Sequence, residues 1–91
     1  MEYEWDPEKD QENQRRHGVS FAEASTVFLD PLAATVPDER FGLEESRFRT
    51  TGYTAANRVI IVAHTDRGDR IRIISARDVT ARELRQYEQR T

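Results

Sequence analysis

From Arg47 to Ser75 the chain runs through three strand-like segments separated by short turns, and this stretch limits the possible folds more than any other feature. Arg58 to His64 is almost continuously β-branched and apolar, the pattern of a central strand covered on both faces. Before it, Arg47-Phe48-Arg49-Thr50 alternates, with both arginines on one face and Phe48 on the other, until Gly52. After it, Asp66-Arg67-Gly68-Asp69 reads as a hairpin turn into Arg70 to Ser75, where Ile71 and Ile73 point one way and Arg70 and Arg72 the other. Consecutive strands joined by short turns predict antiparallel pairing.

The flanks read as helices. Tyr3-Glu4-Trp5 is a brief strand that Asp6-Pro7 turns into a helix start, with Asp6 as N-cap and Pro7 in the first helical position. Acids in the first turn, Arg15, Arg16 and His17 in the last, and Gly18 after them give the order a helix dipole and a glycine cap favour. Between Glu8 and His17 there is no large apolar side chain, so this helix lacks an apolar stripe to bury. Ser20-Phe21-Ala22-Glu23 is a capping box opening a second helix to about Phe28, with Phe21, Ala24, Val27 and Phe28 on one face. Leu32 to Val36 is a further strand candidate, and Pro37-Asp38-Glu39-Arg40 a turn. Thr80-Ala81-Arg82-Glu83 is a second capping box, starting a helix that presents Leu84 and Tyr87 to the core. The order predicts one α+β domain over residues 1–91: an antiparallel sheet of about four strands, two N-terminal helices and a C-terminal helix, with the helices gathered on one side or end.

Composition narrows the chemistry. With 91 residues there is room for one thin core, and with no cysteine there is no disulfide framework, Cys-based zinc site or thiol nucleophile. A reducing cytosol suits such a chain. The longest apolar run, Val59 to Ala63, is far too short to span a bilayer, and the acidic start has no basic region of an export signal, so no membrane association is expected. The net charge of −3 divides into −8 up to Glu45 and +5 from Ser46 onward, so the C-terminal half can face a polyanion although the chain is acidic. Every basic residue except Lys9 is arginine, whose fork suits phosphate and whose plane stacks on bases.

With only His17 and His64, and no HExxH, Walker loop or GxGxxG, most metal, nucleophile and cofactor patterns lack their members, and neither cofactor nor metal is expected. An arginine surface with one or two proton-transfer groups still suffices to cleave RNA, because the 2′-hydroxyl supplies the nucleophile. Arg47, Arg58, Arg70, Arg72 and Arg77 are candidates for phosphate contacts, with Arg49 beside Arg47 on its strand face. The competing expectation is ordinary ion pairing with Glu44, Glu45, Asp66, Asp69 or Asp78. His64 is either a proton-transfer group or a satisfied structural histidine. Glu45 is either a general base or a solvated acid. His17 suits the helix C-terminus, and Trp5 is either core or a platform for an unpaired base.

The words Glu4-Trp5-Asp6-Pro7, Lys9, Asn13, His17-Gly18-Val19 with Phe21, Glu23-Ala24 and Val27-Phe28-x-Asp30 resemble the BrnT family of bacterial type II toxins. The resemblance continues through Glu45-x-Arg47, Gly52, Arg58, Thr65-x-Arg67-Gly68 and Arg72-Ile73-Ile74-Ser75-Ala76-Arg77 to Glu83 and Tyr87, covering nearly the whole chain in order. It implies a RelE-like fold and a ribonuclease toxin that inhibits translation and growth. It also implies neutralisation by a BrnA-type antitoxin with a ribbon-helix-helix part, through which alone the chain would reach operator DNA. The family's charged cleavage residues fall on Glu45, Arg47, Arg58 and Arg77, with Arg67 as an additional candidate. His64, read from the residues and not from the resemblance, is the other proton-transfer candidate, and Arg49, Arg67, Arg70 and Arg72 are the remaining RNA-contact candidates. A non-catalytic RNA- or protein-binding module of the same fold is the alternative.

Overall fold

The apolar segment Val59–Arg67 is the middle strand of a five-stranded sheet in the computed structural model, which describes residues 1–38 and 46–89. In chain order the elements are β1 (Glu2–Glu4), α1 (Pro7–His17), α2 (Phe21–Ser25), a 3-10 turn (Thr26–Leu29), β2 (Ala34–Pro37), β3 (Arg47–Tyr53), β4 (Val59–Arg67), β5 (Arg70–Asp78) and α3 (Ala81–Glu88). The strand order is β1-β5-β4-β3-β2. β2 to β5 pair antiparallel, as the short turns dictate, but β1 lies parallel to β5 with Glu2, Tyr3 and Glu4 opposite Arg70, Ile71 and Arg72. The sheet is therefore mixed and one strand larger than expected. Three N-terminal residues reach the far edge because α1 and α2 carry the chain across the sheet between β1 and β2.

The helices do not gather on one side. α1, α2 and the 3-10 turn pack on the face carrying Ile60, Val62, Ile73 and Ala76, and there Val19, Phe21, Ala24 and Val27 complete a fully buried core. Trp5 is half-buried and packs against that core with its ring edge-on to Phe21, centroids 6.2 Å apart. α3 lies over the other face, beside Thr51 and Ile61.

α1 starts and stops where its caps stand: Asp6 accepts from the Glu8 N–H, and Gly18 takes the left-handed φ of +67°. Lacking an apolar stripe, the helix docks through a polar residue. Asn13 is buried, donates to the carbonyls of Val19 and Ala76 at 2.9 and 2.8 Å, and accepts from the Ala76 N–H at 3.1 Å. β1 covers β5 only at Arg70 to Arg72, so the Asn13 amide serves the backbone that the short edge strand leaves bare. The second helix is tighter than expected: after Ser25 it continues as the 3-10 turn. Only half of its capping box forms, since Ser20 accepts from the Glu23 N–H while the Glu23 carboxylate turns to Thr54. The Thr80–Glu83 box forms in both directions.

Candidate nucleic-acid interface

Alternation and one irregularity decide which side chains share the sheet face opposite the core. Ile74 has no partner in β4, because His64 stands opposite Ile73 and Ala63 opposite Ser75. This β-bulge shifts the phase of β5, so Ile71, Ile73 and Ala76 all point to the core while Arg70, Arg72 and Arg77 share the other face. On β3, Arg47 and Arg49 point to that same face, since Phe48 and Thr50 point to the core side.

The register then forms rows across the strands. Arg47 stands opposite Thr65, Thr65 opposite Arg72, and Arg72 opposite Glu4. In the next row Val36, Arg49, Ala63 and Ser75 line up, and two rows on Ala34, Thr51, Ile61 and Arg77 do so. Ala63 and Ser75 are the small residues of the Arg49 row. Among the described residues, α3 covers only the end of this face near Ile61 and Tyr53.

Most of these arginines have acidic neighbours, though seldom the expected ones. Arg70 Nε lies 3.3 Å from Glu2 and Arg72 Nη1 3.6 Å from Glu4, both across the parallel β1–β5 pair. Arg77 donates bidentately to Glu83 at 2.8 and 3.0 Å. With the Thr80 N–H as a further donor, that pairing holds the Glu83 carboxyl down to about 2 from 4.5. Three buried side-chain polar atoms lack partners among the described residues, His64 Nδ1 on the core side and two on this face. Arg49 Nε and Thr65 Oγ1 are buried and have no hydrogen-bond partner among the described residues. Thr65 stands between Arg47 and Arg72, and Arg49 lies in the neighbouring row beside Ala63. An unmet buried donor costs about 1–3 kcal/mol.

Two of the expected catalytic residues sit elsewhere. Arg58 lies on the core side, forking onto Asp78 at 2.7–3.1 Å and donating to the Gly18 carbonyl at 3.0 Å, with Glu23 at 3.8 Å. The Asp78 hydrogen bonds raise its pKa further above the ordinary arginine value. His64 is 3% exposed, stacked on Phe48 and edge-on to Phe28, with Nε2 at 2.8 Å from Thr50 Oγ1. Burial lowers its pKa, partly offset by Asp66, whose carboxylate at 3.5 Å is too distant for a good hydrogen bond. Arg67 is exposed at the β4–β5 hairpin, and His17 is exposed in the last turn of α1. Glu45, the acidic candidate, lies outside the described residues, as does Glu44. Sequence reasoning missed Glu4 and Thr65, which reach this face through strand pairings that no local pattern displays. No group of three or more His, Asp or Glu side chains among the described residues is placed to hold a metal ion.

The family model for the ribonuclease toxin BrnT of type II toxin-antitoxin systems matches residues 5–83. The chain belongs to the BrnT family. Type II membership implies an antitoxin partner for this BrnT chain. The 1.1 Å crystal structure of the Brucella abortus ribonuclease toxin BrnT has the same fold, with a TM-score of 0.70 and 24% sequence identity over 88% of this chain and 97% of that one. None of the curated proteins is significantly similar in sequence. The core-side placement of Arg58 and His64 separates them, within this BrnT fold, from the arginine face.

Proposed function

We propose that this BrnT-family chain is a metal-independent endoribonuclease whose substrate lies across the arginine face of the sheet. The observation that carries the reading is the convergence of Arg47, Arg49, Arg72 and Arg77 on one face of the sheet. The 2′-hydroxyl attacks the adjacent phosphorus and the 5′-oxygen leaves, giving a 2′,3′-cyclic phosphate and a 5′-hydroxyl. Arg49, with Arg47 and Arg72, binds the non-bridging oxygens and stabilises their growing charge. The proton of the 2′-hydroxyl goes to a carboxylate, with Glu4 beside Arg72 and Glu45 as the candidates, and the departing 5′-oxygen takes its proton from solvent water. Arg77 holds α3 against the face through Glu83, while Arg58 and His64 fix the sheet to the helices behind it.

In this reading the fold is the RelE-like one and RNA cleavage stops translation and growth. A BrnA-type antitoxin with a ribbon-helix-helix part restrains the chain and carries it to operator DNA. One observation favours the second reading, an RNA-binding module without cleavage: Arg70, Arg72 and Arg77 all have carboxylate neighbours and His64 is buried. Incubating a structured RNA with the purified chain in EDTA separates the two. Cyclic-phosphate ends that the Arg49→Ala variant fails to produce support the nuclease, whereas RNA retained uncut supports the binding module.

A further inference from the structure

Beside the arginine rows, a groove of about 270 Å³ runs between the β2 edge of the sheet and α3. Its floor is apolar, made by Val36 and Ile61, and its polar groups are Arg49, Thr51, Glu83 and Gln86. We infer that this groove is a binding subsite for a single unpaired nucleobase of the RNA. The inference rests on the proposed nuclease reading and deepens it, since it assigns the base contact that the phosphate contacts lack.

Three observations carry it. The groove is smaller than the clefts of ~300–1,000 Å³ that enclose larger ligands, and flat apolar walls with a few convergent polar groups suit one planar ring system. Arg49 belongs both to the groove and to the arginine rows, so a base in the groove stays attached to a phosphate on the face without a change of strand direction. The polar set offers both signs of hydrogen bond, as a base edge requires: the Arg49 guanidinium only donates, the Glu83 carboxylate only accepts, and the Gln86 amide does both. Glu83 is held ionised by Arg77 and the Thr80 N–H, so it presents an acceptor at every physiological pH. Gln86 is exposed on α3 and is not among the groups that hold the helix in place.

The occupant is a base rather than a second phosphate, because Val36 and Ile61 offer an anion nothing and Glu83 repels it. RNA is the polymer with such bases free, since its specific recognition uses splayed, unstacked nucleotides.

The test uses uncleavable single strands. A six-unit abasic phosphodiester chain is compared with the same chain carrying one central base, each of the four in turn, by fluorescence anisotropy at low salt. One base is expected to tighten binding about fivefold or more over the abasic chain, through apolar surface covered on Val36 and Ile61 and hydrogen bonds at its edge. The Gln86→Ala variant, whose helix and melting temperature should be preserved, is expected to reduce that increment at least threefold for the preferred base. Equal binding of abasic and base-bearing chains overturns the subsite, and so does an increment that Gln86→Ala leaves untouched. Cleavage of an all-ribose strand of the same length is read separately, so failure of the nuclease reading shows as an uncut strand whatever the base increment.

Discussion

Arg72 and Arg77 stand five residues apart on β5 yet point to the same face of the sheet, because the unpaired Ile74 between them reverses the phase of the strand. Strict alternation would place Arg77 in the core and expose Ala76. The bulge instead gives Arg77 the position from which it grips Glu83, and lets Ala76 fall to 1% exposure beneath Asn13. One extra residue thus sets both the width of the arginine face and the seating of α1.

The division of arginines between two faces predicts divergent variants. Arg49→Ala is expected to slow RNA cleavage on the order of a hundredfold or more while leaving the melting temperature nearly unchanged, as for loss of a transition-state contact. Arg58→Ala is expected to destabilise by about 2 kcal/mol through lost charged hydrogen bonds to Asp78 and the Gly18 carbonyl, with activity per folded molecule retained. Paired thermal melts and timed product assays check both, and an Arg58→Ala protein that is stable but inactive would sink the assignment.

Stability should fall with acid in two separate windows. Burial lowers the His64 pKa in the folded state, so below about 6.5 the unfolded chain binds the extra proton and stability drops as the pH falls through that value. Glu83 works through the opposite group type in the same direction: its carboxyl near 2 folded against 4.5 unfolded contributes stability that is present above 4.5 and lost between there and 2. Melting temperature measured from pH 8 to 3 is expected to lose its upper step in His64→Gln and its lower step in Glu83→Gln.

Asn13→Leu is expected to destabilise by about 3 kcal/mol. It leaves the Ala76 N–H and carbonyl and the Val19 carbonyl without their partner in a buried place that leucine cannot satisfy. Urea unfolding reads the change directly, and Asn13→Asp, which can accept but not donate, should recover little of it.

Gly52 is a place of close approach. A Cβ there would stand 2.9 Å from Val27 Cγ2 and 3.0 Å from both Ala33 Cβ and Asp30 Oδ2. Asp30 accepts from the Tyr53 N–H and the Tyr87 hydroxyl, so the intruding methyl presses on one of the contacts that tie α3 to the rest of the fold. Gly52→Ala is expected to cost about 1–3 kcal/mol in the same unfolding measurement.

Local chemistry was legible from the sequence. Caps at Asp6, Gly18, Ser20 and Thr80, the covered strand at Val59 to His64 and the turn at Gly68 all follow from rules that span a few residues. So did the sharing of one face by Arg47 and Arg49, and by Arg70 and Arg72, since alternation within a strand is itself local. Tertiary structure alone decided how those pairs combine. The parallel placement of β1, the bulge at Ile74 and the crossing of α3 to the far face are relations between segments up to some seventy residues apart, set by register and packing rather than by propensity. For that reason Glu4 joined the arginine rows and Arg58 left them. His64 went to the core because a two-residue period fixes its side of β4 once Ile60 and Val62 are buried, and the hydrophobic effect buries them whichever chemistry the histidine offers.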